Sequence, residues 1–125
     1  MLAMRGTAQK LKPPRPIEMP TAMKANLRRL TRSIVEAFHP QKIILFGSRA
    51  NGQARRDSDV DILVIMDSRK PAGRRAADIY RALGWRKFPL DVIVFTPKEI
   101  SRKMRGFDPF LEDVMKNGRV LYEAG

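Results

Sequence analysis

Cysteine is missing altogether from the 125 residues. Its absence excludes a disulfide framework, a thiolate metal site and a cysteine nucleophile, and it fits a reducing, cytoplasmic setting. Long apolar runs are missing too: none approaches the ~20 residues of a membrane span, so no membrane partner is expected. The opening Met1–Pro14 lacks the apolar stretch of a secretory signal. It is basic and acid-free, as a transit peptide would be, but prolines break it. Acids are scarce throughout, 13 against 25 Lys plus Arg, for a formal net charge of +12. The imbalance is uneven. Residues 1–33 hold eight basic residues (Arg5, Lys10, Lys12, Arg15, Lys24, Arg28, Arg29, Arg32) and one acid, Glu18. Such charge points to a polyanion partner, either nucleic acid or the phosphates of a nucleotide.

What is present is enough for one domain. A chain of 14.3 kDa with 43% hydrophobic residues can bury a modest core. Residues 1–20 read as a basic, proline-rich tail, extended or disordered, with residues 21–125 as the domain. From Thr21, a plausible N-cap, Met23, Leu27, Leu30, Ile34 and Phe38 line one helical face, and Pro40 ends the helix near His39. Ile43–Phe46 is a short buried strand that stops at Gly47-Ser48, and Arg49–Ser58 a loop, or a short helix plus loop. Asp59–Met66 is the clearest strand, apolar enough to be central and covered on both faces. Pro71–Leu83 reads as a helix and Leu90–Phe95 as a third strand. Thr96-Pro97-Lys98-Glu99 has the composition of a capping box. A helix over Pro109–Asn117 is expected to close on Gly118 in the left-handed conformation, before an edge strand at Arg119–Glu123. Trp85 is expected to pack under the sheet. The fold class is therefore α+β, a small mixed β-sheet flanked by helices.

The chemistry lies in Gly47-Ser48, ten residues, then Asp59-Val60-Asp61. Alternate strand residues share a face, so Asp59 and Asp61 project together with backbones about 7 Å apart. Carboxylates held that close raise one another's pKa unless a cation lies between them. A hard divalent ion with oxygen ligands, most naturally Mg²⁺, resolves the conflict. Asp91 repeats the pattern on the next strand. A glycine directly after a strand lets backbone approach a phosphate, and Ser48 adds a hydroxyl donor. A phosphate cradle beside metal-binding acids suits metal-assisted transfer from a nucleoside triphosphate. Asp57, Asp67, Asp78 and Asp108 read as loop, cap or solvated residues, and His39 as a helix-end residue.

Gly47-Ser48-x10-Asp59-x-Asp61, with a third acid in Leu90-Asp91-Val92-Ile93-Val94, resembles the minimal nucleotidyltransferases of the polymerase-β-like superfamily. The likeness is densest over Phe38–Val64 and extends across about residues 21–123. It implies the polymerase-β-like nucleotidyltransferase fold, two Mg²⁺ ions and ATP as substrate. By the resemblance, Asp59 and Asp61 would ligate both metals, and Asp91 would complete one site and help take the acceptor's proton. Gly47 and Ser48 would hold the β- and γ-phosphates, and Arg49 is a looser candidate for triphosphate contact. Asn51 departs from the basic residue often found there.

Only 34 residues follow Asp91 (125 − 91), too few for the acceptor-holding domain of larger relatives. A second copy or another protein would have to grip the acceptor. Small members of the resembled family are commonly antitoxins that place AMP on a tyrosine of a helical HEPN ribonuclease toxin. That reading stands beside two others. One is a binding subunit that occludes its partner, or binds RNA through the basic N-terminal third. The other is a nucleic-acid end-modifying transferase whose tail tracks the backbone. No aromatic residue interleaves the basic tail, which disfavours base stacking there.

Overall fold

The computed structural model describes residues 19–51, 59–86 and 88–125. The expected tail therefore lies almost wholly outside the described residues, as do Asp57 and most of the loop before Asp59. Four strands form one mixed sheet in the order β3-β2-β1-β4. Strand β1 (Lys42–Phe46) pairs antiparallel with both β2 (Val60–Ile65) and β4 (Arg119–Glu123). Strand β2 pairs in parallel with β3 (Leu90–Phe95), so helix α3 (Ala72–Leu83) provides the crossover that a parallel pair requires.

Helix α1 (Thr21–Phe38) forms because its apolar residues recur at helical spacing, and Leu27, Leu30 and Ile34 are buried. It stops as foreseen: His39 turns left-handed (φ 49°), donates its N–H to the Val35 carbonyl, and is followed by the fully buried Pro40. Thr21 is not the cap. Pro20 holds that position with extended backbone and no side-chain cap bond, because a proline supplies the preset φ but no acceptor side chain.

Alternation along the strands builds two cores. Ile43, Leu45, Val60, Ile62, Val64, Leu90, Val92 and Val94 face α1 and α3. Ile44, Leu63 and Ile65 face α4 (Pro97–Arg105) and α5 (Pro109–Asn117) with Leu111 and Val114. Strand β2, inside the sheet and covered on both faces, has Val60, Ile62, Leu63 and Val64 fully buried. Helix α4 starts with the complete capping box: Glu99 N–H donates to the Thr96 hydroxyl, and Thr96 N–H to the Glu99 carboxylate at 2.8 Å. The same carboxylate accepts from the buried Arg75 of α3 at 2.8 Å, which ties the two helix layers across the β3 edge. That pair holds Glu99 below its ordinary pKa, through the Arg75 bond first. Arg75 on an otherwise polar stretch carried no sequence signal for burial.

Two further expectations are corrected. Gly118 is extended (φ −71°, ψ 162°), not left-handed. Glycine is needed there for space: a Cβ would collide with the Val114 carbonyl and stand 2.6 Å from Ile44 Cγ2. Trp85 is 82% exposed rather than packed under the sheet. Leu30, Leu83 and Phe88 occupy that end of the core, leaving the indole outside beside Arg29 and Arg86 around a cleft of about 310 Å³. Tyr122 packs against the core from the edge strand as expected. Asp108 is a cap, accepting from Leu111 N–H. Asp78 is ion-paired to Lys70, Arg74 and Arg81.

Candidate functional site

The register brings the acids to one end of the sheet. Asp61 lies opposite Phe46, the last residue of β1, and opposite Asp91 on β3. Asp59 immediately precedes β2. Because Val60, Ile62, Leu90 and Val92 point to the α1/α3 core, the intervening Asp59, Asp61 and Asp91 project from the other face. That face carries α4 and α5 farther along, and Phe110 of α5 stands edge-on to Phe46 with centroids 5.2 Å apart. The strand mouth is pinned by Val60 N–H donating to the Pro89 carbonyl at 2.9 Å.

Gly47 completes the cluster. It leaves β1 with φ +75°, in the left-handed region that favours glycine, and a Cβ built there would collide with the Asp61 carboxylate. A bare backbone thus lies against an acid brought from the neighbouring strand. Ser48 and Arg49, both half-buried, begin the one-turn helix α2 (Ser48–Asn51). Ala50 N–H donates to the Gly47 carbonyl at 3.0 Å, and the buried Ala50 side chain anchors the turn. Arg119 of β4 donates to the Ala50 carbonyl at 3.1 Å and holds the far end of α2.

Electrostatically, Asp61 is the strained member. Burial pushes its carboxyl above the usual aspartate value, and the neighbouring charges of Asp91 and Asp59 and a side-chain hydrogen bond with Asp91 push it the same way. Asp59 and Asp91 are exposed. Among the described residues, no three acidic, histidine or cysteine side chains stand close enough to hold a metal ion together. Asp61 and Asp91 meet in register through a side-chain hydrogen bond, and Asp59 is near enough for its charge to act on Asp61. The donor chemistry still fits a hard divalent cation, since every candidate ligand is a carboxylate oxygen and Asp61 bears an uncompensated repulsion.

Sequence reasoning missed Phe46, Phe110 and Arg119 as neighbours of this site. Phe46 was legible, because strand alternation from Ile44 puts it on the Asp61 face. Phe110 and Arg119 depend on tertiary placement. No described helix is long and apolar enough to cross a membrane.

Residues 27–122 match the family model of the nucleotidyltransferase domain. Among solved structures, a putative nucleotidyltransferase from Sulfolobus solfataricus is similar at 20% identity and TM-score 0.57, over 85% of this chain and 90% of that one. A toxin–antitoxin structure with AMP-PNP is similar at 22% identity and TM-score 0.53, over 79% and 74% of the two chains. A mutant toxin–antitoxin MntA-HpeT matches over the same shares at 20% identity and TM-score 0.51. No curated protein matches significantly. A family match over residues 27–122, a span that holds Gly47, Asp59, Asp61 and Asp91, decides the matter: the chain belongs to the family of nucleotidyltransferase domains.

Proposed function

We propose that this chain is a Mg²⁺-dependent nucleotidyltransferase that moves AMP from ATP to a hydroxyl of a partner protein. The observation that carries the reading is Gly47 backbone lying against the Asp61 carboxylate, with Asp91 in register beside it. Phosphate-approaching backbone and acids thereby share one small volume. In this reading Gly47 N–H and the Ser48 hydroxyl hold the triphosphate, with Arg49 at its flank. Asp59, Asp61 and Asp91 would hold the two Mg²⁺ ions. When bound, these ions supply charge neutralisation at the phosphates and at the acceptor oxygen. Asp91, the more exposed partner of Asp61, accepts the proton of the acceptor hydroxyl. The hydroxyl oxygen bonds to the α-phosphorus, the bond from that phosphorus to the bridging oxygen breaks, and pyrophosphate leaves.

The acceptor is proposed to be a tyrosine of a HEPN-type toxin, with this chain as the antitoxin. Two similar folds come from toxin–antitoxin structures, one of them with AMP-PNP. The test is incubation with Mg²⁺, the protein encoded beside this chain, and ATP labelled on either the α- or the γ-phosphorus. Label on the partner from α-labelled ATP alone supports nucleotidyl transfer. Label from γ-labelled ATP indicates a kinase instead, and no label from either refutes the reading.

A further inference from the structure

A second concavity lies away from the acids. It is an open groove of about 610 Å³ between α1 and the edge strand β4. Its floor is apolar, formed by Leu27, Val35, Leu45, Leu121 and Tyr122. Its rim is cationic: Lys24, Arg28 and Arg32 follow one another along α1, and Arg119 faces them from β4. Glu36 is the single acid among the described lining residues.

The rim row has a defined geometry. Residues four apart on a helix are neighbours, so Lys24, Arg28 and Arg32 form a ladder about 12 Å long. Like charges at this spacing repel and destabilise a helix. None of the three forms an ion pair among the described residues. An apolar trough beside a row of three cations that ends at Glu36 matches a helix with an apolar face and acids every fourth residue along its flank.

We propose that the α1–β4 groove docks an acidic amphipathic helix of a partner protein. Charge complementarity selects this occupant over the alternatives. A second copy would set one cationic rim against another. The chain's own residues 1–18 carry Arg5, Lys10, Lys12 and Arg15 against Glu18 alone, so they repel the rim. An RNA strand would find the cations, but Leu27, Val35, Leu45 and Leu121 of the floor are aliphatic and offer its bases no stacking surface. Docking also reaches the site described above: Arg119 on the rim is the residue that holds the Ala50 carbonyl of α2. The inference stands whether or not transfer occurs.

The test uses the full chain and a fluorescein-labelled synthetic helix with Leu at helical spacing and Glu at the flanking positions. Three comparison probes accompany it: the same peptide with Lys for Glu, a scrambled Glu peptide without an apolar face, and single-stranded RNA. Fluorescence anisotropy is expected to show saturable binding of the Glu helix, at least tenfold tighter than either control peptide. The double variant Arg28→Glu/Arg32→Glu, both at exposed positions, is expected to lose at least tenfold in affinity with an unchanged melting temperature. Leu121→Asp, checked by circular dichroism, is expected to lose binding as well. Equal binding of the Glu, Lys and scrambled peptides overturns the proposal, as does an unaffected double variant. Displacement of the Glu helix by RNA assigns the groove to nucleic acid instead. Tenfold tighter binding after deletion of residues 1–18 assigns it to the chain's own tail. A dimer in sedimentation that the double variant dissolves assigns it to a second copy.

Discussion

Gly47→Ala perturbs the site through two separable effects. The backbone at φ +75° costs a residue with a Cβ about 1 to 2 kcal/mol. The new methyl also collides with the Asp61 carboxylate. Rotation of that short side chain is the cheapest relief, but it disturbs the carboxylate that is hydrogen-bonded to Asp91. The stability loss is therefore expected at the upper part of that range. Domains near this size lose about 4 to 8 °C in Tm per kcal/mol. Thermal unfolding with and without Mg²⁺ and ATP reads both consequences. The wild type should gain stability from the ligands by mass action. Gly47→Ala should unfold earlier and gain little from them. Gly73→Ala is the control, since its Cβ meets nothing within 4 Å near the start of α3, and it should be neutral or stabilising by about 0.5 to 1 kcal/mol. Wild-type Tm and an intact ligand response in Gly47→Ala would refute the close approach of turn and acid.

The raised Asp61 has a signed consequence: in the metal-free protein, stability should fall as pH rises from the ordinary aspartate value of 3.8 through the raised one. Asp61→Asn should remove that dependence, stabilise the metal-free protein at neutral pH and abolish its response to Mg²⁺, all visible in Tm against pH. Glu99 behaves oppositely: its pKa is lowered from 4.5, so its contribution is complete above that value and is lost as pH falls through the depressed one. Glu99→Ala leaves Arg75 buried without its carboxylate and breaks the cap, and urea denaturation should show a loss of about 2 to 4 kcal/mol. Trp85→Ala should leave stability within about 0.5 kcal/mol, as suits a side chain that is 82% exposed.

Periodicity made most of the fold legible. The stripe from Met23 to Phe38, the apolar run Ile62–Val64 and the Thr96–Glu99 box each report local constraints, and each element formed where its pattern stands. The placement of the acids was legible for the same reason, because strand alternation alone puts Asp59 and Asp61 on one face. Errors came where tertiary contacts decide. Gly118 is required by the approach of Val114 and Ile44, which no local pattern encodes. Trp85 is outside because Phe88 and Leu83 already fill the space beneath. The net charge of +12 also changed meaning: part of it is a cationic ladder along one groove rather than a diffuse field.

The central claim is that the acids at the β2–β3 mouth support nucleotidyl transfer. Intact-mass spectrometry of the neighbouring-gene protein tests it most directly, after incubation with Mg²⁺, ATP and either the wild-type chain or Asp59→Asn/Asp61→Asn. The account predicts a gain of AMP units on the partner with the wild type and none with the variant, while the two proteins still associate. An unchanged partner mass with the wild type, or equal modification by the variant, would contradict it.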